Sequence, residues 1–170
     1  MSDGYFFSFT KGEYVRRIRE SRGKCVLCGI ASDSPDVVNL TLYRDDLACA
    51  AVNLYPYNPG HLLVFPVRHV EDLRACTDGE RARLAALTLY FMDILDSTYG
   101  PHGYNVGYNV GQAAGASLDH LHEHIIPRYA NEIGLADLVA GKRVLVEDPR
   151  TSLEKMKKAV YERPFSISMT

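Results

Sequence analysis

Between residues 77 and 100 the chain carries a helix whose two ends are both written into the sequence, and it dictates what must surround it. Thr77-Asp78-Gly79-Glu80 has the form of a capping box, Thr77 as N-cap and Glu80 reaching back. Gly100-Pro101 stops the helix after Tyr99. Leu84, Leu87, Phe91, Ile94 and Leu95 follow the helical period, giving a broad apolar face that has to be covered. The segments on either side read as strands. They are Val37 to Tyr43, broken by Asp45-Asp46, then Leu47 to Val52, and His61 to Val67 behind the turn Tyr55-Pro56-Tyr57-Asn58-Pro59-Gly60. Tyr104 to Val110 alternates like a strand. A Gly/Ala turn from Gly111 to Ala116 leads into a last strand, Leu118 to Ile126, closed by Pro127. Gly12 to Arg22 and Asn131 to Ala140 suit short helices, Arg143 to Val146 a short strand, and Pro149 to Tyr161 a final helix with Pro149 at its first position. This is the pattern of an α+β fold: an antiparallel sheet with one long helix and a C-terminal helix. No repeat or linker divides the 170 residues, which read as a single domain, 1–170, with 1–24 and 130–170 as extensions.

The chain is 46% hydrophobic and 24% charged, enough apolar material for a real core. Lys+Arg number 19 and Asp+Glu 21, a net charge of −2, so no basic surplus speaks for a nucleic-acid partner. Any phosphate site must then be local, built from backbone amides and a few side chains. Apolar runs such as Leu62 to Phe65 fall far short of a membrane span of roughly 20 residues. Met1 to Thr10 lacks the basic and apolar regions of a secretory signal, and the expectation is a soluble cytoplasmic protein with no membrane partner. In that setting Cys25-x-x-Cys28 reads as a metal or redox pair before it reads as a disulfide. Cys49 and Cys76, in apolar surroundings, read as core.

Five of the six histidines fall in two groups, His61/His69 and His120/His122/His124. On a strand, alternate side chains share a face, which would line the three imidazoles of the second group up with roughly 6.5–7 Å between neighbours. Two chemistries fit such a row. Two alternating histidines and a third from elsewhere can hold a catalytic zinc ion with an open position. Alternatively, one neutral imidazole is a nucleophile whose tautomer and charge its neighbours fix. The turn just before, Asn109 to Ser117, offers small residues whose amides could converge on an anion, which favours attack on phosphorus.

With these residues the chain resembles the histidine-triad family of nucleotide hydrolases and transferases. The family signature alternates three histidines with apolar residues, and His120 to Ile126 matches it except at Glu123. Asn53 to His61, then Pro66-Val67-Arg68-His69-Val70, is similar to the family's nucleoside-side segment, and Asn105 to Arg128 to its phosphate-side segment. The resemblance covers roughly residues 25–130. It implies that His122 is the nucleophile, attacking the α-phosphorus of a diadenosine polyphosphate or AMP conjugate to form a nucleotidyl-histidine. Water or inorganic phosphate then releases the nucleotide. His124 would orient the site, Gly115 and Ser117 would bind phosphate oxygens with Asn109 at a polar phosphate-side position, Asn53 would accept ribose hydroxyls, and His61 would sit near the phosphates.

Cys25, Cys28, His69 and His120 match the zinc ligands of the family's zinc-bearing branch. Two thiolates and two imidazoles form a closed set, so the resemblance implies a structural zinc rather than an open catalytic one. It also implies a homodimer that completes a larger sheet across its two-fold axis. Ala116 departs from the family, standing where many dinucleoside triphosphate hydrolases carry Gln, which leaves phosphorolysis open beside hydrolysis. Glu123 occupies an apolar slot on the face opposite the histidines, and it must be solvated or have a partner. Three other activities fit parts of the pattern: a nucleoside phosphoramidase, an open-site zinc hydrolase and a non-catalytic nucleotide-binding regulator.

Overall fold

A computed structural model describes residues 25–130 and 147–166. The expected helices at Gly12–Arg22 and Asn131–Ala140, and the expected strand at Arg143–Val146, lie outside the described residues. Within them the chain runs α1 (Val26–Ala31), β1 (Thr41–Arg44), β2 (Ala48–Val52), β3 (Leu62–Pro66), α2 (Asp78–Tyr99), β4 (Gly103–Tyr108), β5 (Glu123–Arg128) and α3 (Pro149–Glu162). Single 3₁₀ turns at Leu73–Ala75 and Gln112–Ala114 interrupt the loops. The five strands form one antiparallel sheet in the order β1-β2-β3-β5-β4, so the fold is α+β as expected.

The long helix forms as its caps require. Thr77 Oγ1 accepts the Glu80 amide, the Glu80 carboxylate accepts the Thr77 amide, and Gly100 ends the helix in the left-handed region. Arg68 meets the same Glu80 carboxylate with two nitrogens, at 3.0 and 2.8 Å, so the cap also fixes the loop that follows β3.

Period-two alternation sorts the sheet residues into two layers. Ala48, Ala50, Val52, Leu62, Val64 and Ile125 pack against Leu84, Leu87, Phe91, Ile94 and Leu95 of α2 and Leu153 and Met156 of α3. Cys49, Ala51, Leu63 and Phe65 point the other way, against Val26, Leu27, Ile30 and Ala31 of α1. The central strands are therefore buried on both faces. Cys49 and Cys76 are buried, as core residues should be.

Three boundaries differ from the sequence reading. The first strand begins at Thr41 rather than Val37, because the Asn39 side chain accepts the Thr41 amide at 3.0 Å and occupies a ladder position. Pro127 does not close the last strand. It lies inside β5 opposite Tyr104, where pairing with β3 has already ended at Ile125 and a missing amide costs no ladder bond. The third difference shapes the site. Leu118 to His122 is not strand, because its bonds go elsewhere: the Leu121 amide to the Val70 carbonyl at 2.7 Å, and the His120 ring to the Pro66 carbonyl at 2.9 Å. The row of three imidazoles on one strand face is thereby broken, and only His124 sits on β5.

Candidate functional site

The segment ahead of β5 turns its histidines to two different places. The His120 side chain enters a group with Cys25, Cys28 and His69 whose donor atoms all lie within 4.8 Å of one another. His120 Nδ1 is 3.5 Å from both sulfurs, and His69 Nδ1 is 3.3 Å from Cys28 Sγ. A tetrahedral ion with bonds of about 2.3 Å to sulfur and 2.0–2.1 Å to nitrogen sets sulfur and nitrogen about 3.6 Å apart, so the spacing fits. The proton on His120 fits as well. Its Nε2–H donates to the Pro66 carbonyl, which leaves the Nδ1 lone pair facing the sulfurs. Burial pulls the His120 pKa down to about 4, keeping the ring neutral as a ligand must be. Burial and the neighbouring Cys25 push the Cys28 thiol up to about 11, so metal capture has to displace a proton there. The residues present fit a closed four-coordinate metal site.

His122 and His124 face an open cleft. Its wall is mostly aliphatic: Val26, Leu27 and Ile30 of α1 with Val38, Leu54, Leu63 and Leu118. Its polar groups are Asn53, Tyr55, Ser117 and the two histidines. The rings of His122 and His124 stand at 67° with centroids 4.9 Å apart.

Hydrogen bonds fix which nitrogen carries each proton. His122 Nδ1–H donates to the His120 carbonyl at 2.7 Å, which leaves the Nε2 lone pair as the reactive end of the ring. A relay sets His124. The Tyr57 amide can only donate, and it lies 3.0 Å from His61 Nδ1, so His61 bears its proton on Nε2. That proton is donated to His124 Nδ1 at 3.0 Å, and neutral His124 therefore holds its own proton on Nε2. Asn53 supports the relay: its Oδ1 accepts the Tyr55 amide, and its Nδ2 is 3.3 Å from His61 Nδ1. Gly60 is required just before His61. It has φ +79°, and a Cβ there would come within 2.8 Å of Leu95.

His61 is fully buried, behind His124 rather than on the cleft wall. The family resemblance sets it near the phosphates, and in the structure it can reach a ligand there only through His124. Of the expected phosphate-side residues, Ser117 lines the cleft, while Asn109 and Gly115 are not among its lining residues. Gly115 lies in an exposed loop, at φ +86° with open space around it.

Residues 35–131, more than half of the chain, match the HIT domain family. The chain belongs to the HIT family. An AP-4-A phosphorylase of Mycobacterium tuberculosis is 42% identical over 111 residues, covering 65% of this chain and 57% of that protein. An asymmetrical bis(5'-nucleosyl)-tetraphosphatase of Schizosaccharomyces pombe is 36% identical over 97 residues, covering 57% of this chain and 53% of that protein. The HIT chain thus spans little more than half the length of either relative. A zinc-bound histidine triad family protein of Mycobacterium smegmatis has the same fold. It superposes with a TM-score of 0.68 at 25% identity, covering 82% of this chain and 95% of that one.

Glu123, the departure from the HIT pattern, is buried with partners. It points to the opposite face, where Thr88 Oγ1 donates to it at 2.5 Å and the Tyr108 hydroxyl also bonds it. Burial raises its pKa, and these hydrogen bonds only partly offset the shift. Among the described residues no buried side-chain nitrogen or oxygen lacks a hydrogen-bond partner. Sequence reasoning missed the contribution of α1 to the cleft. Its signal was the pair of aliphatic residues, Val26-Leu27, set between two metal-type cysteines.

Proposed function

We propose that this HIT protein is a nucleotidyl hydrolase or transferase that cleaves diadenosine polyphosphates through a nucleotidyl-His122 intermediate. The bond from His122 Nδ1–H to the His120 carbonyl carries this reading, because it presents the Nε2 lone pair for attack. In the first step Nε2 forms a bond to the α-phosphorus, and the bond to the bridging oxygen breaks with its electron pair going to the polyphosphate leaving group. His124 Nε2–H donates to phosphate oxygens as charge develops there, held in that protonation state by His61. In the second step the oxygen of water or inorganic phosphate attacks the same phosphorus, and the P–N bond breaks with its pair returning to His122.

The aliphatic wall suits a base and Asn53 a ribose, while Ser117 with the Asn109 to Gly115 loop serves the phosphates. The two relatives, named for opposite acceptors, support the substrate class and leave the acceptor to experiment. Zinc in the Cys25/Cys28/His69/His120 group is part of the proposal, supported by the donor spacing and by the zinc-bound neighbour. When bound, it supplies a structural cross-link and takes no part in the chemical steps. Dimer formation through the sheet edge at β4, where Val106 is exposed, is a further expectation that sedimentation would test.

Incubation with diadenosine tetraphosphate, with and without inorganic phosphate, tests the activity. AMP plus ATP identifies a hydrolase, and phosphate-dependent ADP plus ATP a phosphorylase. No turnover by the zinc-loaded protein would sink the dinucleotide assignment, and turnover that survives His122→Asn would sink the nucleophile.

A further inference from the structure

Helix α1 belongs to two sites at once. It is six residues long, far below the roughly 12–15 residues at which an isolated helix is even marginal in water. Its first residue is preceded by Cys25, whose side chain makes no capping bond and instead lies among the metal-type donors. Cys28, in the same helix, is the second such donor. Between and beyond these two, Val26, Leu27 and Ile30 form the aliphatic wall of the cleft that holds His122 and His124. The other two donors come from distant parts of the chain, His69 after β3 and His120 ahead of β5. Apart from the donors, α1 is held by its apolar contacts with β2 and β3, by Arg44 donating to the Ala31 carbonyl, and by close packing of Gly29 on Val37.

We propose that metal binding at the four donors and nucleotide binding in the cleft are coupled through α1, each ligand raising the affinity for the other. The inference rests on the nucleotide reading of the cleft. With the metal in place, α1 is pinned at both cysteines and its aliphatic face is preorganised for a base. Without it, a nucleotide has to order the same six residues from its own binding energy and binds more weakly. Linkage makes the effect reciprocal: the factor by which metal strengthens nucleotide binding is the factor by which nucleotide strengthens metal binding.

The test uses the zinc-loaded full chain, with AMP as the probe. Calorimetry first measures AMP binding to the loaded protein. Equilibrium competition against a chromophoric chelator then gives zinc affinity with and without saturating AMP. Coupling in the usual range predicts that AMP tightens zinc by about fivefold or more. Ile30→Ala, which leaves all four donors in place, should weaken AMP binding and shrink that factor. If AMP binds but leaves zinc affinity unchanged, the coupling is overturned while the functional reading stands. If Ile30→Ala weakens AMP binding yet keeps the full factor at saturation, the coupling does not run through α1 and the proposal fails. If AMP does not bind the zinc-loaded protein at all, the functional reading falls first and the coupling with it.

Discussion

The two faces of the sheet are built from the same strands, often from adjacent residues, yet they are held in different ways. On one face α2, with 22 residues, and α3, with 14, cover an aliphatic layer, and the polar intrusion at Glu123 is closed off by Thr88 and Tyr108. On the other a six-residue helix and a cluster of cysteines and histidines do the covering, and hydrogen bonds set which way the cleft histidines present their nitrogens. Glu123 and His124 are neighbours in sequence and look into these two environments. The helix-covered face stores stability, whereas the cysteine-and-histidine face spends sequence on orientation. Changes on the first should move unfolding without touching chemistry, and changes at the cleft histidines of the second should do the reverse.

The largest separation is expected from His122→Asn. It should lower turnover of diadenosine tetraphosphate by about 10³-fold or more while urea unfolding hardly moves, since nucleophile losses of this kind are among the largest known. A comparable fall in stability would blur the division. Phe91→Ala is its mirror. Phe91 is fully buried under the sheet, and truncation should cost about 3–5 kcal/mol in denaturant unfolding, with kcat per folded molecule nearly unchanged. His61→Gln probes the relay behind His124. Misorienting a proton donor without removing it should lower kcat by roughly tenfold, less than the hundredfold or more that a full acid–base contribution supplies, with little change in KM. A change confined to KM would instead place His61 in ligand binding.

The smallest effect concerns Glu123. Burial raises its pKa in the folded protein, so the native state retains a proton that the unfolded chain gives up, and stability falls as pH rises through that interval. Glu123→Gln removes the titration and can still accept from Thr88. The variant should match wild type at roughly pH 4 and be modestly more stable at roughly pH 8 by urea titration. Greater stability of wild type at the higher pH would mean that Glu123 is held as a well-paired carboxylate.

Much of the helix-covered face could be read in the sequence, because caps and periodicity are local signals. The Thr77/Glu80 box, the Gly100 stop and the five apolar residues of α2 all stand where the pattern put them. The other face was legible in composition but not in geometry. Alternation alone placed His120, His122 and His124 on one strand. The structure separates them, because the Pro66 and Val70 carbonyls, more than 50 residues earlier in the chain, capture the His120 ring and the Leu121 amide. The turn ahead of His61 is legible in the sequence, but the place of His61 behind His124 depends on a bond to a ring 63 residues further on, which no local pattern reveals. Long-range bonds to single atoms leave no periodic trace in a sequence, and this site is assembled from them.

In the proposed mechanism His122 Nε2 attacks phosphorus. Brief mixing of the zinc-loaded protein with diadenosine tetraphosphate radiolabelled at the α-phosphorus, an alkaline quench and peptide mapping would test it most directly. Label on the peptide containing His122, formed and discharged as fast as turnover and absent in His122→Asn, is the predicted result. Turnover without labelled protein, or label on another residue, would contradict the account.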